Sequence, residues 1–439
     1  MSKAFKKLFK SILIIVFCGI IGTIFLILSY YLPTDRIKSH IQEGTFIYNK
    51  TGVYPEIVDG YSTTILDLYT DAIMLENAMC PVDNPIKDAM LVPGVHVAGY
   101  ESSEVNSVLD YVNDVQGIEV YISNYPRYWH GYLFVLKFLL TLFSFSDLQM
   151  INAIVQSFLW LILVAEFIIK GFKRYLPALF AFVIVMHPME TAMSLQITDC
   201  FIITAVASIV VLKFGNAKII KENDGLIVFL LTGICTSYFD FLTYPLVTLG
   251  IPLAILLLLQ PQGNSIKSNT IIMLNNSFYW SLGYIGMWTM KWIIGSIILK
   301  ENLFTDALNQ VGMRISTEGI DDVENISRFM AIIRNVSGFA KWTYLGFMLF
   351  IIVWILFNEC EIRKREKLAR YYRNYKVIDT IPFLVLSIYP FIWYLVVSNH
   401  SIIHPRLAYR EMGIFIFSFM IFIIKILSRN EKIEGNKKN

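Results

Sequence analysis

The sequence predicts an all-α polytopic membrane protein with about ten transmembrane helices and a large first extracytoplasmic loop. Three observations predict it. Only 16% of the 439 side chains are charged and 56% are hydrophobic, too few charges to coat the two or three soluble domains such a length would otherwise form. The apolar residues are gathered in blocks, several of them near the roughly 20 residues that cross a bilayer. Basic residues collect in short loops between those blocks, as the positive-inside rule requires of cytoplasmic loops. The net charge of +3 says little by itself. Five cysteines without a Cys-x-x-Cys pair support neither a zinc site nor a redox motif.

Residues 1–32 form a cytoplasmic N-terminus and the first crossing. Lys3, Lys6, Lys7 and Lys10 precede an apolar run from Ile12 to Leu32. No small-x-small cleavage site follows it, so it reads as a retained signal anchor. Residues 33–149 read as an extracytoplasmic loop with interfacial helices. Between Pro33 and Arg127 there are 14 acidic and 5 basic side chains, and few cations need translocating. The run 132–146 is short for a crossing and is interrupted by Lys137. Read as an interfacial or dipping helix on the outer face, it lets all later basic loops fall inside. Residues 150–428 form the helical bundle, with apolar runs at about 150–169, 175–187, 199–214, 225–239, 243–259, 272–298, 340–358, 378–397 and 412–428. The strongest cytoplasmic signal is Arg363 to Lys376, with seven basic residues and one acidic. Residues 300–339 form a second extracytoplasmic loop, and 429–439 a Lys-rich cytoplasmic tail.

This topology puts the unusual polar residues at the outer face, where ionisable groups at membrane depth are functional candidates. The first group lies in Leu66–Glu76, where Asp67 and Asp71 share a helix face and Glu76 follows. A carboxylate at the membrane surface suits a general base; a solvated amphipathic helix would carry the same spacing. The second is Tyr125–Tyr132, with Arg127 and His130 among aromatics. It suits contacts to a lipid phosphate or sugar, or an interfacial aromatic belt. The third is Ser237–Pro245, where Asp240 sits in a tight turn and could also cap the next helix. The fourth is Ser398–Arg410, which packs His400, His404, Arg406 and Arg410 between two crossings. Two histidines and two arginines there suit a phosphate better than lipid tails. His187, Glu190 and Gln196 occupy another outer loop, and Arg314 lies in loop 300–339. Lys291 stands inside the run 272–298, near its outer end, where it could snorkel or face an anion.

One crossing, a large external loop with an early Asp, an interfacial helix and short alternating loops resemble the GT-C superfamily of integral-membrane glycosyltransferases. Protein O-mannosyltransferases, aminoarabinose transferases and oligosaccharyltransferases share that plan. The strings YPRYWHGY (125–132), SYFDFLTYP (237–245) and NHSIIHPRLAYR (399–410) are similar to those of bacterial GT-C proteins from surface-polysaccharide loci. The resemblance implies a polyprenyl-phosphate-linked sugar donor, a glycan or cell-envelope acceptor, and inverting transfer at the outer face. It implies Asp71 as general base, with Asp240 in reserve. Glu76, Arg127, His130, His187, Glu190 and Gln196 would contact substrate, with Lys291, Arg314, His400, His404, Arg406 and Arg410. The Asp-Glu pair of the mannosyltransferases is missing, and His187-Pro188-Met189-Glu190 and Asp199 stand where a metal-binding Asp-x-Asp would be. No motif therefore supports a metal or other cofactor, although a divalent cation would suit the class.

Two other readings compete. A polysaccharide polymerase or ligase of the O-antigen type also has many crossings and external Arg and His, but its large loop usually comes late in the chain. A lipid-linked sugar transporter or flippase would show internal repeats and broken helices at the midplane, and no self-similar halves are found. Nucleic-acid binding is excluded by the absence of a basic external stripe. No dinucleotide, P-loop, zincin or nucleophile-elbow motif is present.

Overall fold

The computed structural model describes residues 3–45, 52–100, 103–215, 226–240, 242–261, 265–317, 326–339 and 380–427. There the chain is mostly helical, with one two-stranded sheet. Among the described residues, five helices are long and apolar enough to cross a membrane: Ala4–Ser29, Phe145–Ile169, Leu195–Phe214, Ile266–Leu299 and Pro405–Ile426. Shorter apolar helices cover Leu226–Phe239, Val247–Leu258 and Ile381–Val396. The long ones carry outward-facing apolar side chains that a soluble surface would not, such as Phe17, Leu161, Ile169 and Ile297. The run expected at 340–358, the basic loop 363–376 and the tail lie outside the described residues.

Helix α1 (Lys3–Ser29) leads into a polar layer. That layer comprises α2 (Thr34–Gly44), α3 (Leu68–Met79), α4 (Pro85–Leu91), strand β1 (Pro93–Val97), α5 (Glu104–Val112) and strand β2 (Val120–Asn124). Local chemistry starts these elements: Asp67 caps α3 by accepting from Thr70 N, and Asn84 caps α4 ahead of Pro85. The strands pair antiparallel, with Val95 opposite Ile122. A core of Ile37, Leu75, Met90, Val108 and Leu133 holds the layer, and Leu26 and Tyr30 at the end of α1 enter it. Burial of that apolar stripe docks the layer onto the bundle.

One expectation for the first loop changes. Residues 132–146 are not one helix: α6 covers Tyr132–Leu140, and α7 begins at Phe145 and runs to Ile169. A capping box explains the break. Ser144 Oγ accepts from Asp147 N, and Asp147 Oδ2 accepts from Ser144 N. At 9 residues, α6 rises only about 13 Å, well short of a bilayer. Lys137 is buried, its Nζ 4.3 Å from the Tyr30 ring centroid.

The bundle continues with α8 (Leu176–Met186), α9 (Pro188–Met193), α10 (Leu195–Phe214), α11 (Leu226–Phe239), α12 (Val247–Leu258) and α13 (Ile266–Leu299). Then come α14 (Leu303–Ile315) and α15 (Phe329–Phe339), followed by α16 (Ile381–Ser387), α17 (Tyr389–Val396), α18 (Ser398–Ile403), α19 (Pro405–Ala408) and α20 (Met412–Leu427). Phe182, Phe201, Leu253 and Phe417 lie in its main core. Loop 300–339, expected to be external, contains the amphipathic α14 and α15.

Candidate active site

The Tyr125–Tyr132 string is pinned at several points. Trp292 Nε1 donates to Arg127 O at 3.0 Å, and Trp129 Nε1 donates to Met287 O at 2.7 Å. Gly131 N donates to Tyr238 O, and a Cβ on Gly131 would stand 2.3 Å from the Tyr238 ring. No larger residue fits that approach without moving the helix. His130 adopts a left-handed backbone, φ 52°. The string is thereby aimed into a cavity of about 180 Å³ between the polar layer and the bundle.

His130, Gln196, Arg314, His400, His404 and Arg406 all line that cavity. So do Asp67 and the aromatic side chains of Tyr54, Tyr69, Tyr125, Tyr128 and Tyr132. Arg406 lies over Tyr54 at 3.8 Å, with its guanidinium 4.0 Å from Asp67 Oδ2. His400 and His404 face each other at 5.0 Å between ring centroids. Burial, and then the Lys291 charge, push His130 down to about 3. Burial, Arg314 and Arg406 push His404 down to about 4. These imidazoles are neutral at physiological pH and can exchange hydrogen bonds with hydroxyl groups.

The carboxylates divide differently from expectation. Asp67 lines the cavity. Burial raises its pKa, while Arg406 and the Thr70 hydrogen bonds oppose the rise. Asp71 is fully buried behind it and does not line the cavity. Its Oδ1 accepts from Ser194 Oγ at 3.1 Å and Gln196 N at 3.2 Å, so it caps the start of α10. Burial above all raises Asp71 to about 8, and it holds a proton at neutral pH. Asp240 is also outside the lining. It accepts from Leu242 N and Thr243 N, and from Thr243 Oγ1, closing the turn ahead of α12. Burial brings its pKa to about 6 against those hydrogen bonds. The turn holds Leu242 at φ 75° and presents its side chain to the cavity.

Five expected substrate contacts lie outside the cavities. Glu76 packs against His96 in the polar layer. Lys291 Nζ donates to Met90 O at 3.0 Å and Ala89 O at 3.3 Å, neutralising carbonyls at the end of α4. Arg410 is fully buried and ion-paired to Glu190, and its Nη1 also donates to Arg406 O at 2.7 Å. His187 sits beside that pair, with Nδ1 3.2 Å from Glu190 Oε1. Arg410 and Glu190 tie α9 to the segment before α20, and the pair is too enclosed to meet a donor phosphate without coming apart. Glu190→Ala or Arg410→Ala should cost about 3–5 kcal/mol, because each strands a buried charge. Thermal unfolding in detergent should show that loss, and the joint Glu190→Leu, Arg410→Met change should recover most of it.

A second cavity, about 210 Å³, adjoins the first and is almost wholly apolar. Trp280, Tyr284, Trp288, Trp292 and Trp393 line it, with Arg127 and Arg314 among them. Arg127 Nε donates to Asp306 at 3.1 Å, whereas Arg314 Nε makes no hydrogen bond. Tyr128, Leu242 and Arg314 belong to both cavities. A third, more polar cleft of about 570 Å³, lined by Thr63, Arg334 and Ser337, shares His404 and Arg406 with the first. The tryptophan groove escapes sequence reading. Its indoles are spread over positions 280–292 and 393 and become one wall only when α13 meets α17. No family model, curated protein or solved structure matches this chain.

Proposed function

We propose that the protein is a membrane glycosyltransferase that moves a sugar from a polyprenyl-phosphate carrier to a glycan or related acceptor at the outer face of the membrane. One observation carries the reading: the three cavities meet in series. An apolar tryptophan groove shares Arg314 with a chamber holding a carboxylate and neutral histidines, and that chamber shares His404 and Arg406 with a polar cleft. A lipid-linked sugar phosphate has the same sequence of chemistry. Its chain suits the groove, its phosphate the guanidinium of Arg314, and its sugar the tyrosines and imidazoles. The polar cleft then admits the acceptor.

In this mechanism the acceptor hydroxyl attacks the anomeric carbon. The carbon–oxygen bond to phosphate breaks, and the electron pair leaves on the polyprenyl phosphate. The hydroxyl proton passes to Asp67, the carboxylate that lines the chamber. Arg314 faces the charge growing on the phosphate, where an oriented cation stabilises the transition state more than the ground state. Asp71 acts one shell back by fixing α3 against α10. Purified protein, a polyprenyl-phosphate-linked sugar and envelope glycan test the reading: inverted glycosidic product supports it, and donor movement across a vesicle without transfer favours a flippase.

The reading carries about ten crossings with both termini cytoplasmic. A cysteine replacing Ser146, at the start of α7, should then react with a membrane-impermeant maleimide added outside intact cells. Labelling only after the cytoplasm is opened would reverse the topology.

A further inference from the structure

Glu76, His96 and Glu104 come from α3, β1 and the first turn of α5, and all three are buried. Each offers one ligand atom, and these atoms lie within 4.8 Å of one another. His96 Nδ1 stands 3.0 Å from Glu76 Oε2 and 3.5 Å from Glu104 Oε2. Glu76 Oε2 and His96 Nδ1 are buried and unpartnered by any hydrogen bond, so they face each other without a hydrogen bond's alignment. Ligands about 2.0–2.1 Å from a tetrahedral ion stand roughly 3.3 Å apart, a value that lies between these two separations.

The remaining atoms of two of these side chains are held. Ser107 Oγ donates to Glu76 Oε1 at 2.5 Å and accepts from Val97 N at 2.9 Å. Ser123 Oγ is 2.8 Å from His96 Nε2, and the Tyr121 ring stacks on the imidazole. With Nδ1 bound to a cation, Nε2 carries the proton and donates it to Ser123. Such outer partners fix the tautomer and orientation of a metal ligand. A Cβ on Gly94 would lie 3.0 Å from His96 Nε2 and 2.8 Å from Asn77 Nδ2, so the strand has little room for a side chain there. Two carboxylates beside one imidazole leave a buried excess of negative charge, and His96 is the only basic group in ion-pair contact with either among the described residues. A divalent cation neutralises that excess.

We propose that Glu76, His96 and Glu104 bind one divalent first-row cation, Zn²⁺ foremost, which ties α3, β1 and α5 into one rigid layer. The mixed nitrogen and carboxylate set suits Zn²⁺ over an all-oxygen Ca²⁺ site. Asp67 begins the helix that Glu76 anchors, so the ion steadies α3 at the end away from the chamber.

The test uses untagged full-length protein in detergent, stripped with a chelator and titrated with ZnCl₂. One equivalent should bind per chain and raise the unfolding temperature of the wild type. Ser107→Ala should weaken binding about 10–100-fold, His96→Gln and Glu104→Gln should weaken it further, and His40→Ala, outside the cluster, should leave it unchanged. Wild type showing no saturable binding of ZnCl₂ or MnCl₂ up to about 1 mM, the weak end for extracellular cation sites, would overturn the proposal. Equal binding by a His96→Gln, Glu104→Gln double variant would do the same. The wild-type titration decides even if those variants fail to fold.

Discussion

Asp67→Asn should lower the transfer rate by about 10²–10⁴, the usual cost of losing a general base, while the protein stays folded and binds donor. The substitution leaves the helix start intact, because asparagine caps as well as aspartate and can still accept from Thr70. Asp71→Asn should behave oppositely. Asp71 holds a proton near neutrality and accepts from Ser194 and Gln196, and an asparagine oxygen accepts from the same donors. Transfer should remain within several-fold of wild type, far from a general-base loss. A pH profile adds an independent readout. The base must be ionised, so the rate rises as pH climbs through the pKa of Asp67, which burial raises from its ordinary value against the pull of Arg406. That limb should vanish in Asp67→Asn. Near-normal transfer by Asp67→Asn with loss in Asp71→Asn would move the base one turn along the helix and show that the chamber opens differently in the loaded enzyme.

Arg314→Ala should raise the KM for donor about 10–100-fold, the equivalent of about 1.5–3 kcal/mol for a charge-assisted contact. Among the described residues, Arg314 is the one cation shared by the chamber and the tryptophan groove, and its Nε makes no hydrogen bond. Its removal takes a hydrogen-bonding neighbour from the buried Tyr128 hydroxyl, so stability should fall slightly while the main effect falls on donor binding. Arg314→Lys keeps the charge but loses the planar fork and should recover only part of the affinity. The contrast with Arg410 is the informative comparison. Arg410→Ala should lower the unfolding temperature through the stranded Glu190, whereas Arg314→Ala should leave a folded protein that binds donor poorly. Unchanged donor kinetics in folded Arg314→Ala would remove the phosphate from this junction.

The sequence by itself determined the class of the protein and pointed to several of the histidines and arginines that line one cavity. Low charge and block hydropathy leave a membrane bundle as the only way to bury so much apolar surface, and the five long apolar helices follow from it. The strings 125–132 and 399–410 contribute His130, His400, His404 and Arg406 to one cavity. Cations and imidazoles beside apolar runs are costly unless something polar faces them, and that cost is visible in the residues alone. Tertiary structure decided which charge meets the cavity and which is internally paired. Asp67 and Asp71 are four residues apart on one helix face, and periodicity cannot tell which of them the start of α10 will cover. Arg314 and Arg410 look alike until Glu190, 220 positions from Arg410, takes one of them. Lys291 reads as an anion contact until the carbonyls of α4 arrive from residues 89 and 90. Glu76, His96 and Glu104 have no motif spacing, because their convergence depends on a strand passing between two helices. Hydropathy is a local property of the chain and survives in its order. The pairing of a buried charge depends on partners that only folding brings near.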